Sequence, residues 1–128
     1  MAIEISAEQK LFNLSEAQAL LPVVAKVTRG HSQALAPLQA RMDRMLSNDP
    51  RRPMLERAFE VEVSLWRGKI ERLGATTTSL WVVEFNVGEG ALNWRYPELQ
   101  IAYFRPQQAT IRKKLADYIE ETDPDWAV

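Results

Sequence analysis

A chain of 128 residues fits a single domain, able to bury roughly two-thirds of the surface that its unfolded form exposes. Its hydrophobic share of 46% and charged share of 26% are ordinary for a globular protein, and a net charge of −1 supplies no positive field to recruit nucleic acid or acidic lipid. Cysteine is absent, which excludes disulfides, thiolate metal sites and a cysteine nucleophile.

No apolar run approaches the roughly 20 residues of a membrane span, and Met1-Ala2-Ile3-Glu4 lacks the basic, apolar layout of a signal peptide. A cytoplasmic location is the expectation. Ser15-Glu16-Ala17-Gln18 reads as a capping box that opens a helix, with Leu14 as a staple. Apolar or near-apolar positions then recur at Ala17, Leu20, Val24, Val27, His31, Ala34, Leu38, Met42 and Met45, a spacing of three and four that predicts a helix of about 30 residues. Pro22 and Pro37 each remove an N–H and crowd the preceding turn, so a kink is expected at Pro37.

Ser47-Asn48-Asp49-Pro50 is a turn, and Pro53 suits the start of the next helix. That helix carries the stripe Leu55, Phe59, Val63, Trp66, Ile70 and Leu73 and is closed by Gly74. Two helices joined by so short a turn pack antiparallel, a hairpin over about 15–73. The second helix has a further row, Ala58, Val61 and Leu65, and is too apolar for one partner helix; the sheet or a second subunit must cover it.

From Leu80 the pattern changes to alternation, LWVVEFNVGEGALNWRYPELQIAYF, broken at Gly88-Glu89-Gly90 and at Pro97-Glu98. This predicts three antiparallel strands in a meander over about 80–104. Pairing parity puts Trp81, Val83 and Phe85 on one face with Leu92, Trp94, Tyr96, Ile101 and Tyr103, against the helices. The other face takes Val82, Glu84, Asn93, Arg95, Gln100, Ala102 and Phe104, with Glu84 able to pair with Arg95. Ile111, Leu115, Tyr118 and Ile119 mark a C-terminal helix over about 107–121, and Asp123-Pro124-Asp125-Trp126 reads as a loose terminus. The expected fold is α+β, a single domain over 1–128 in which a kinked helical hairpin packs on a three-stranded meander.

These segments carry a resemblance. Phe12-x-Leu14-x-Glu16-Ala17-x-x-Leu20-Leu21-Pro22, the helix end Leu73-Gly74, and WVVEF followed by GEGALNWRYPELQIAYF are similar to the pattern of the bacterial family catalogued as domain of unknown function 2203, over roughly residues 11–105. The family's usual histidine after the aromatic pair is Arg105 here, its cysteine-like position is Asn93, and its glycine-rich tail is replaced by Lys113-Lys114-Leu115-Ala116. The resemblance implies no activity.

The chemistry-bearing residues are sparse. His31, the one histidine, falls on the buried stripe with no Asp or Glu a helical turn away, and is read as a packing residue. A zinc site needs three or four ligands, so no metal or cofactor is expected. Glu56 and Glu60 lie beside Arg57 and Arg67 as a solvated helix face, and Gly88-Glu89-Gly90 lacks the strand-to-helix context of a phosphate loop. The leading reading is a non-enzymatic interaction module that acts as a homodimer through Ala58, Val61 and Leu65 and meets a protein partner that the sequence does not name. Second stands a site for an anionic metabolite bearing phosphate or carboxylate, with binding or weak enzymatic activity, built from Arg95, Glu84, Arg105 and Tyr103. Nucleic-acid binding through the basic sheet face, extended by Arg112-Lys113-Lys114, is third, because Trp94 and Tyr96 point away from Arg95.

Overall fold

A computed structural model describes residues 10–122. Helix α1, Leu14–Asp43, is 30 residues long and is followed by α2, Arg52–Arg72. The cap of α1 is Asn13, not Ser15. The Glu16 N–H donates to Asn13 Oδ1 at 2.7 Å, and the Asn13 N–H donates to Glu16 Oε1 at 3.0 Å. Asn13 is extended, with φ −104° and ψ 173°, so its side chain reaches forward over the first turn while Ser15 already lies inside the helix. The helix runs unbroken through Pro22 and Pro37. Both prolines lie on the exposed side, as do Gln18 and Gln33 one turn before them, so water can satisfy the carbonyls that lose a donor.

Gly74, with φ +96°, ends α2 in the left-handed conformation that closes helices, its N–H donating to the Glu71 carbonyl. The chain then forms a five-stranded antiparallel meander in sequential order: β1 Thr76–Ser79, β2 Val82–Asn86, β3 Gly90–Arg95, β4 Tyr103–Pro106 and β5 Lys113–Lys114. The three expected strands correspond to β2, β3 and β4. The added ones are an exposed Thr-rich edge and a two-residue edge on β4. The last helix, α3, is Leu115–Thr122, shorter than the expected 107–121. Residues 107–112 form no helix, and Ile111 is exposed. The expected loose terminus at 123–126 lies outside the described residues.

Register decides the faces. Val83 pairs with Trp94 and Phe85 with Leu92, as parity requires. Across β3–β4, however, Leu92 pairs with Phe104 and Asn93 with Tyr103. The connection spans 96–102 and is no two-residue turn, so the parity inferred through Pro97-Glu98 fails. Phe104, expected outside, is fully buried in the core, and Tyr103 is on the outer face. Gly90 opens β3 where a Cβ would collide with the Arg105 carbonyl oxygen and stand 2.6 Å from the Phe104 ring, so no larger residue fits.

The core lies between the inner sheet face (Val83, Phe85, Leu92, Trp94, Phe104) and one end of the hairpin (Ala17, Leu21, Val24 from α1; Trp66 and Ile70 from α2), closed by Tyr118 of α3 stacked on Phe104. Beyond this cluster the hairpin continues as an arm. Its buried residues Leu35, Met42 and Leu55 are outside the core that the sheet shares, and its far end is closed by Arg52 Nη1 donating to the Met42 carbonyl at 2.9 Å.

Candidate functional site

Two surfaces concentrate the sequence-derived candidates. On the outer sheet face, Glu84 of β2 is diagonal to Arg105 of β4 across β3, a placement created by the β3–β4 register. Its side chain is 3% exposed and is held from two sides. Arg105 donates Nε to Oε2 at 2.7 Å and Nη2 to Oε1 at 2.8 Å, and Asn93 Nδ2 donates to Oε2 at 2.8 Å. By accepting these hydrogen bonds, the Glu84 carboxylate holds Arg105 protonated above its already high range, against a smaller opposite effect of burial. Arg105 Nη1 also donates to the Ala109 carbonyl at 2.9 Å, which brings the 107–112 segment across this face.

Arg112 ends that segment 3.7 Å above the Tyr103 ring and pairs with Glu98 at 2.8 Å. Tyr103 is therefore covered by a cation of the protein itself. Arg95 is on the same face but directly opposite Val82, with Asn93 opposite Glu84. The expected Glu84–Arg95 pair is not formed, because Arg105 occupies the carboxylate. Of the four residues proposed for an anion site, the structure joins Glu84 with Arg105, places Tyr103 under Arg112 and leaves Arg95 exposed to one side. A hollow of about 340 Å³ beside the pair is lined by Lys10, Thr76, Glu84, Asn86 and Arg105 among others, but its arginine is already neutralised at bidentate geometry.

The second surface is the side of α2 turned away from α1. The inner stripe, Leu55, Phe59, Val63, Trp66 and Ile70, is buried or half-buried as expected. The other row is not. Val61 is 60% exposed and Leu65 53%, and Ala58 is exposed too; neither the sheet nor α3 covers them. Met54, 62% exposed, and Gly68 extend the row in both directions. Leu80, at the β1–β2 turn, joins Phe59 and Val63 in an open groove along one flank.

Between the helices, polar groups are matched across the hairpin. Trp66 Nε1 donates to Thr28 Oγ1 at 2.8 Å, and His31 Nδ1 is 2.6 Å from Glu62 Oε2. The His31 carboxylate partner is thus on the other helix, where inspection of α1 alone misses it. Its Nε2 is buried with no hydrogen-bond partner among the described residues. Among the described residues no group of three or more His, Cys, Asp or Glu side chains converges to hold a metal ion, and no helix is long and apolar enough to cross a membrane.

No protein-family model, curated protein or solved structure matches the chain.

Proposed function

We propose that this chain is a non-enzymatic, cytoplasmic interaction module that works as a homodimer, with Ala58, Val61 and Leu65 at the subunit interface. The observation that supports it is the exposure of that row, on a helix whose opposite stripe is already used by α1. A contiguous apolar patch of this kind is seldom left in water by monomers. Two-fold pairing is the simplest cover, since one self-complementary surface serves both subunits. The polar alternative on the sheet has less to offer an anion, because Arg105 and Arg112 are matched within the fold and Arg95 is exposed to one side of them. The resemblance to domain of unknown function 2203 brings no activity with it, so the reading rests on geometry.

Val61→Glu together with Leu65→Glu tests it. Both positions are exposed in the single chain, so the variant keeps its helix content, while carboxylates facing each other across the axis separate the subunits. Light scattering is expected to give a dimer mass for the wild type and a monomer mass for the variant. A wild-type chain that is monomeric at high micromolar concentration would refute the reading.

A further inference from the structure

We infer that the second copy docks on α2 in antiparallel register, so that the arm of each subunit lies along the sheet end of the other's α2. The inference rests on the self-association just proposed and adds orientation and register. Along the outer side of α2, Met54, Ala58, Val61, Leu65, Gly68 and Arg72 succeed one another in alternating steps of four and three. This is the seam of a coiled coil, more regular than the inner stripe, and it faces away from α1. Laid against itself antiparallel, the seam sets Val61 against the partner's Leu65, the largest apolar layers at the centre. On either side Ala58 meets the partner's Gly68. A Cβ built on Gly68 finds only an Arg72 nitrogen, at 3.7 Å, so the surface there is open for close approach.

Charge selects this orientation. Arg57, Ser64 and Glu71 flank the seam at intervals of seven, and all three are exposed. In the antiparallel register Arg57 falls beside the partner's Glu71, twice by symmetry, while Ser64 meets Ser64 of the partner subunit near the axis. The same register sets Arg72 against the partner's Met54. A parallel pairing would instead set Arg72 against itself, with like charges at the seam. The antiparallel form also gives the arm a support that the described residues of one chain do not supply. Its buried Leu35, Met42 and Leu55 are outside the shared core, and in the dimer the N-terminal half of α2 is buttressed by the C-terminal half of its partner.

The chain has no cysteine, so single cysteines can be introduced at exposed positions and joined with a short bis-maleimide. Ser64→Cys, close to the axis, is expected to give a covalent dimer. Met54→Cys alone is expected to give none, because the two copies of that position are ~27 Å apart along the antiparallel pair at the helical rise. Mixing Met54→Cys protein with Arg72→Cys protein restores the cross-link. A covalent dimer of Met54→Cys with itself would overturn the antiparallel register while leaving the homodimer intact, whereas a monomeric wild type would remove both. Independently, Arg57→Glu is expected to weaken dimerisation by about tenfold, and adding Glu71→Arg to the same chain to restore it. Failure of the double variant to recover would also overturn the register.

Discussion

On the outer sheet face Glu84 is 3% exposed, and both its oxygens accept hydrogen bonds from residues of β3 and β4; on the outer face of α2, Val61 and Leu65 are more than half exposed, with none of the described elements over them. The first surface is rich in charge yet closed at its centre, where Arg105 and Arg112 are matched within the fold and only Arg95 is left to one side. The second is chemically plain yet open. The difference teaches that reactive side chains can be satisfied within a fold while a chemically plain row keeps its contacts unmet.

The sharpest way to break that contrast is at the base of the sheet. Trp94 is fully buried and its Nε1 donates to the Glu98 carbonyl, so Trp94→Ala is expected to cost about 3–5 kcal/mol in urea unfolding. A melt equal to wild type would mean that the inner face is not core. Next comes the ion pair. Arg105→Ala leaves Glu84 buried without its counter-charge and is expected to cost about 3 kcal/mol. Arg95→Ala, on the same face but without that partner, is expected to cost at most about 1 kcal/mol. Equal losses for the two arginines would show that the sheet surface is not closed in the way described.

The smallest effect is local to the turn that joins the two helices of the arm. The Asp49 carboxylate accepts from the Arg51 side chain at 2.8 and 3.1 Å and from the Arg51 N–H at 2.9 Å, and these bonds lower its pKa from 3.8 to about 2. Because the folded value is the lower one, the contribution is complete above pH 4 and is lost as pH falls from about 4 through 2. An NMR titration of the Asp49 carboxyl carbon checks the value. Arg51→Ala is expected to move the midpoint back up towards 3.8.

Both helices were legible in the sequence because burial on them repeats every three to four residues, and Gly74 marks the end of α2 correctly. The β2–β3 pairing was legible because its turn is short enough to carry parity from one strand to the next. Where linkage is longer, the pattern runs out. The 96–102 connection exchanges Tyr103 and Phe104, and with them the partner of Glu84. Strand β1, Thr76–Ser79, has no alternation to show, since it is held by edge pairing with β2 and faces solvent. The capping residue was shifted because Asn13 and Ser15 are both good caps, and Glu16 is three residues from the first. Glu62 was missed as the partner of His31 because the pair is made across the hairpin, 31 residues apart in the chain.

Gly90 sets a distance on which all of this electrostatic order depends. It is opposite Pro106, next to the position where Ala91 faces Arg105, and its missing side chain is the space into which the Arg105 backbone and the Phe104 ring advance. A side chain added there collides with the backbone of Arg105 itself, so the two strands must part at the residue whose guanidinium holds the Glu84 carboxylate. The smallest residue in the sheet thereby acts as a spacer gauge for one of its longest side chains, and neutrality at the centre of the outer face is measured out by a single absent methyl group.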